Sequence, residues 1–124
     1  MNPPLQALLI SNDHAAREGI LSGSKTGTVR SGHRDYRPGI VMICYHLEPW
    51  VVMADIVTVR HTKLADLTET EWRADGFETF EELVSDLRKF YSDIGPESPV
   101  TFVGWANVRG RLVDEFRASI GAGS

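Results

Sequence analysis

Two almost unbroken apolar runs, Ile40–Leu47 and Trp50–Val59, stand on either side of the break Glu48-Pro49. They constrain the fold more than any other feature of the chain. Runs of this length around a short break predict a hairpin in a well-buried sheet. Three further segments read as strands: Leu5–Ile10, Thr26–Arg30 with its β-branched residues, and Val100–Trp105. Helices are expected at two places. Ser11-Asn12-Asp13 can accept hydrogen bonds from free backbone N–H groups and so start a short helix over 14–22, which Gly23 ends. Phe80, Leu83, Val84, Leu87, Phe90 and Tyr91 recur at spacings of three and four, which predicts a helix over 80–91. Thr79 and Glu82 are placed to form its capping box, and Arg88 and Lys89 suit its C-terminal dipole.

The strands are not regularly interleaved with helices, which argues against a doubly wound sheet and for a small mixed barrel. Ser31–Arg37 reads as an exposed polar loop and Pro38-Gly39 as a turn. Residues 106–124 read as a tail with a short helix around Leu112–Ile120 and a frayed end. With 42% hydrophobic and 24% charged residues, 124 residues suffice for one globular domain.

The net charge of −4 excludes a uniformly basic nucleic-acid surface. The charge is uneven, however. Residues 17–37 hold five bases (Arg17, Lys25, Arg30, Arg34, Arg37) against two acids, and residues 66–97 hold ten acids against three bases. Such a molecule can bind an anion locally while acidic overall. The favoured reading of the acidic stretch by itself is a solvated helix face. The single cysteine, Cys44, has no partner for an internal disulfide and reads as a small buried hydrophobe. No signal peptide or membrane-spanning run is visible, so cytoplasm is the expected location. His14, His33, His46 and His61 lack metal-ligand spacing, and no metal or other cofactor is expected. No histidine pair stands out as an acid–base couple.

The segment Gly23-Ser24-Lys25-Thr26-Gly27-Thr28-Val29-Arg30 has the pattern Gly-x-Lys-x-x-Thr-x-Arg. Several landmarks follow in order: Pro38-Gly39, Leu67-Thr68-Glu69, Asp75-Gly76-Phe77, the helix from Thr79, and Ser98-Pro99-Val100-Thr101. Over residues 5–105 this arrangement resembles the ASCH family of the PUA-like superfamily. The resemblance implies an α+β fold: a small PUA-like β-barrel of five to six strands with two or three flanking helices. It also implies a domain over 1–105 and a separate tail over 106–124. Two positions depart from the family pattern. Ile40 stands where an aspartate is usual, and Asp75 stands where a glutamate is usual.

Within that superfamily the chain is similar to small bacterial N4-acetylcytidine amidohydrolases. Their catalytic lysine, threonine and glutamate fall on Lys25, Thr28 and Asp75. The implied chemistry is amide hydrolysis. Thr28 is the implied nucleophile and Lys25 its base, while Asp75 orients the lysine or protonates the leaving amine. Gly23, Arg30, Arg34, Arg37 and Trp72 are the expected substrate contacts, with the Arg30 fork suited to a phosphate or a base carbonyl. A modified nucleoside or RNA is the expected partner. The alternatives are a binding module for RNA or a modified nucleotide without chemistry, and, less favoured, a ribonuclease.

Plainer readings stand beside these. Lys25 and Arg30 read as surface charges, Thr28 as pocket lining, and Asp75 as an acceptor for backbone N–H groups in the turn before Gly76. Asp55 reads as solvent-facing on an edge strand. Trp50 and Trp105 read as core or rim, while Trp72 is placed over the barrel mouth. Strand alternation separates Lys25 from Thr28, so the two converge only if the strand starts after Lys25 or kinks at Gly27.

Overall fold

The computed structural model describes residues 6–10, 14–45 and 51–110. The expected helix start at Ser11-Asn12-Asp13, the Glu48-Pro49 break, Trp50 and the tail helix around Leu112–Ile120 lie outside them.

Strand β1 (Gln6–Ile10) is followed by helix α1 (His14–Ser22), then β2 (Gly27–Ser31), β3 (Gly39–Tyr45) and β4 (Val51–Lys63). A single 3-10 turn at Leu64–Asp66 leads into α2 (Glu69–Ala74), α3 (Phe80–Phe90) and β5 (Pro99–Arg109). One five-stranded sheet runs in the order β1-β3-β4-β5-β2. The β1–β3 pair is parallel and the other three pairs are antiparallel. Register shifts on β4 near Met53/Asp55 and Ile56/Thr58 help the sheet curl into a half-barrel.

The curl gives the sheet two apolar cores. The interior holds Leu8 and Ile10 of β1, Val41 and Ile43 of β3, Val52, Ala54 and Ile56 of β4, Val103 and Trp105 of β5, and Ile20 of α1. The outer face of β5 and β2 forms a second core, where Val29, Val100 and Phe102 meet Leu83 and Leu87 of α3. Strand β5 is therefore apolar at every position from Val100 to Val103 except Thr101, because both of its faces are covered. Gly27 sits where the second core is tightest: a Cβ there would lie 2.7 Å from the Phe102 ring.

The structure revises several expectations. The last strand does not end at Trp105 but runs to Arg109, so Ala106–Arg109 belongs to the barrel rather than to a tail. Asp55 faces outward as expected, yet on the central strand β4, where it accepts from Asn107 and Arg109 at 3.0 Å each. Glu82 does not close a capping box with Thr79. Thr79 accepts from the Glu82 N–H, but the Glu82 carboxylate takes the Glu78 N–H instead. The complete box is at Thr68 and Glu71, which start α2, a helix outside the sequence expectation. Among the described residues no helix is long and apolar enough to cross a membrane.

Candidate active site

Strands β1 and β2 are the two edges of the curled sheet. Between them lies a seam that backbone pairing does not close, and the motif residues gather along it. Arg30 reaches across, its Nη2 donating to the Leu9 carbonyl of β1 at 2.5 Å. Further along, Asp75 fills the free side of β2: its Oδ2 accepts the Val29 N–H at 3.1 Å. That amide follows Thr28 directly in the chain.

Asp75 is the C-cap of α2, and the local sequence explains why it arrives there. Thr68 and Glu71 set the start of the helix. Arg60 of β4 then grips Glu71 with both arms of its fork, Nε to Oε2 at 2.7 Å and Nη2 to Oε1 at 2.5 Å. At the other end the Thr26 N–H donates to the Ala74 carbonyl at 2.8 Å. One helix of six residues is thus tied to β4 at its start and to the approach of β2 at its end. Asp75 reaches β2 because the helix end itself is held against that strand.

Lys25 completes the pair. Strand β2 begins only at Gly27, so Lys25 is outside the strand and free of its alternation. The Lys25 N–H donates to the Gly19 carbonyl at 2.9 Å, packing the residue against the end of α1. Its Nζ donates to Asp75 Oδ1 and to the Asp75 carbonyl oxygen, the latter at 3.0 Å. The side chains are 12% and 8% exposed, so this is a buried ion pair. Burial pushes the Asp75 carboxyl up from its ordinary value, against the opposing pull of Lys25, the Val29 N–H and the Arg30 charge.

Thr28 is buried and opposite Val103, which places it on the interior face of β2. Its hydroxyl makes no hydrogen bond to a described residue. Two more polar atoms nearby share that condition: Arg30 Nε and Trp105 Nε1 are buried without a protein partner. Arg30 and Thr28 are two residues apart on β2 and Trp105 is two from Val103 on β5, so all three belong to the interior face. Buried donors without partners are rare in folded proteins. The sequence placed Trp105 in the core, as found, but gave no sign that its indole N–H would be unmatched.

Other expected contacts are elsewhere. Gly23 ends α1 with φ of +87°, a backbone role. Arg34 and Arg37 are exposed on the loop after β2. Arg34 Nε donates to the Ser31 carbonyl at 2.7 Å, and Arg37 pairs with Asp35 at 3.4 Å. Trp72 does not lie over the barrel mouth. It packs against the second core, with the Arg73 guanidinium 5.0 Å from its ring centre. One imidazole pair escaped the sequence reading, since 28 positions separate its members: His33 and His61 lie with ring centres 5.0 Å apart. Each points Nε2 at a backbone carbonyl, of Thr62 and Arg34 respectively. Among the described residues no group of three or more His, Cys, Asp or Glu could hold a metal.

Comparison with solved structures decides the architecture. A crystal structure of an ASCH domain from Lactobacillus crispatus JV V101 superposes with a TM-score of 0.63 at 13% identity, covering 82% of this chain and 77% of that one. The chain has the ASCH fold. A DUF984 protein from Enterococcus faecalis V583 also superposes, with a TM-score of 0.68 at 16% identity over 91% of this chain and 80% of that one. No family model matches the sequence, and no curated protein matches it either. The ASCH fold accounts for the curled sheet and its flanking helices; at this identity it leaves the chemistry to be argued from the seam residues.

Proposed function

We propose that the protein is a nucleoside-directed amidohydrolase that removes the acyl group from N4-acylated cytidine or a related small nucleoside. The observation that carries this reading is the two buried donors without partners, Arg30 Nε and Trp105 Nε1, on the interior face that also carries Thr28, with the buried Lys25–Asp75 pair at the adjoining seam. Leaving a buried donor unpaired costs about 1–3 kcal/mol. Two such donors beside a free hydroxyl favour a ligand that brings acceptors, and a pyrimidine carbonyl is one.

The reaction balances as follows. Lys25 passes a proton to Asp75, whose raised carboxyl narrows the gap between the two. The neutral amine takes the Thr28 hydroxyl proton as Oγ1 bonds to the acyl carbon. The carbon–nitrogen bond then breaks, the Lys25 proton goes to the cytosine amine, and the acyl group rests on Thr28. Water, activated by the same amine, releases the carboxylic acid and restores the hydroxyl.

The test is incubation with N4-acetylcytidine, following cytidine and acetate. The parent protein turns it over. Lys25→Met lowers the rate at least about a hundredfold, the usual weight of a general base, and Thr28→Ala brings it to background. No turnover by the parent rejects the reading for that substrate.

A second reading rests on a different feature of the same pair. Lys25 Nζ donates to both the carboxylate and the carbonyl of Asp75, which fixes the side chain in one place. A fixed ammonium suits holding a modified nucleotide or RNA without chemistry. Binding of N4-acetylcytidine without turnover, or RNA affinity falling steeply with salt, supports this alternative.

A further inference from the structure

Trp105 is an odd choice for a side chain that only fills a core. It is 3% exposed and belongs to the interior cluster with Leu8, Ile20, Ile56 and Val103. Its Nε1 is buried and has no hydrogen-bond partner among the described residues. An indole can only donate. A phenylalanine would add apolar bulk here without stranding a donor.

The register fixes where this residue stands relative to Thr28. Thr28 pairs with Val103, two residues before Trp105 on the same face of β5. The Trp105 backbone N–H donates to the Thr26 carbonyl at 2.9 Å, so Trp105 is level with Thr26, on the Lys25 side of Thr28. Diagonal neighbours of this kind lie about 7–8 Å apart across a strand pair, within reach of an aromatic side chain. Arg30 stands two residues from Thr28 in the other direction, a step of about 7 Å along the strand. The two buried donors without partners therefore lie on opposite sides of Thr28.

Addition of a nucleophile to an amide puts negative charge on the acyl oxygen, and a donor beside the nucleophile stabilises it. Two backbone amides close to Thr28 are already committed. The Thr26 N–H donates to the Ala74 carbonyl at 2.8 Å and the Val29 N–H to Asp75 Oδ2 at 3.1 Å. We infer that the Trp105 indole N–H is the oxyanion donor of the site, and that Arg30 Nε takes the ring carbonyl of the same substrate. The inference rests on the amidohydrolase reading and adds to it a further catalytic residue and a substrate orientation, acyl group toward Trp105 and pyrimidine toward Arg30. As Thr28 Oγ1 bonds to the acyl carbon, the carbonyl electron pair moves onto the oxygen, which accepts from Nε1; the indole keeps its proton. When the carbon–nitrogen bond breaks, that pair returns to the carbonyl.

Trp105→Phe removes the N–H and keeps an aromatic ring. With N4-acetylcytidine it should lower kcat about a hundredfold, the usual cost of one oxyanion donor. KM should be nearly unchanged, the pattern of a contact that strengthens in the transition state. A second measurement leaves the indole in place. In Thr28→Ala, which cannot form the acyl intermediate, N4-acetylcytidine should shift the Trp105 indole proton resonance downfield. Cytidine, which has no acyl oxygen, should leave it where it was; Trp105→Phe identifies the resonance. Turnover by the parent that Trp105→Phe retains, or an indole proton that both ligands move alike, would overturn the inference and leave the amidohydrolase reading standing. No turnover by the parent would overturn both.

Discussion

At the scale of single residues, the account rests on a buried ion pair whose two members come from separate elements. Lys25 and Asp75 are fifty positions apart and are brought together only by the docking of α2. Removing one member of a buried pair leaves an uncompensated charge, which typically costs about 3–5 kcal/mol. Asp75→Asn should therefore destabilise the protein by about 3 kcal/mol in urea unfolding. Lys25→Met combined with Asp75→Asn should cost less than Asp75→Asn alone, because the stranded ammonium is gone. Costs that simply add would mean that the pair is not coupled. The pair was half legible in the sequence. The resemblance pointed to both Lys25 and Asp75, with Asp75 a departure from the usual glutamate. In the structure Asp75 reaches Lys25 and the Val29 N–H through the placement of the helix end, a tertiary effect that no local pattern encodes.

At the scale of elements, α2 is the piece that carries the carboxylate into the seam. Its anchor is Glu71, which is buried and accepts from Arg60 and from the Thr68 N–H. Burial alone would raise this carboxyl, but the Arg60 hydrogen bonds, the Thr68 contacts and the Arg60 charge outweigh it and hold Glu71 below its ordinary value of 4.5. A lowered carboxyl stabilises the fold fully above that ordinary value, and the contribution is lost as the pH falls through the lowered one. Urea midpoints should thus decline below about pH 5. In Glu71→Gln the decline should be shallower, from a lower starting stability at neutral pH. An unchanged acid slope would show that Glu71 does not anchor α2. Gly27 tests the neighbouring contact: Gly27→Ala drives a Cβ into the Phe102 ring at 2.7 Å and should cost about 1–3 kcal/mol. Much of this level could be read from the sequence. The α3 periodicity, the Gly23 stop, the five strands and the β3–β4 hairpin were visible. Helix α2 was not, although Thr68-Glu69-Thr70-Glu71 carries the capping pattern, because six residues are too few to show a period.

At the scale of the molecule, the curled sheet meets itself along the β1–β2 seam. Arg30 bridges it to the Leu9 carbonyl. Arg30→Ala should loosen that closure, raising amide hydrogen exchange in β1 and β2 while the α3 amides stay protected. Arg30→Lys should not restore protection fully, since a single ammonium lacks the planar fork. Exchange that rises evenly over the whole chain would instead mean general destabilisation. The apolar runs and the motif were enough to anticipate a small barrel, which the ASCH-fold structures bear out. They could not anticipate the edge-to-edge seam, which depends on strand order, nor the unmatched indole of Trp105, which depends on what faces it across the interior. The central claim concerns the hydroxyl at position 28. Rapid quenching of the protein with N4-acetylcytidine, followed by mass analysis of its peptides, should find one acetyl group on the fragment containing Thr28, and none after Thr28→Ala. Cytidine release with that fragment unmodified, at a rate the alanine variant keeps, would contradict the account.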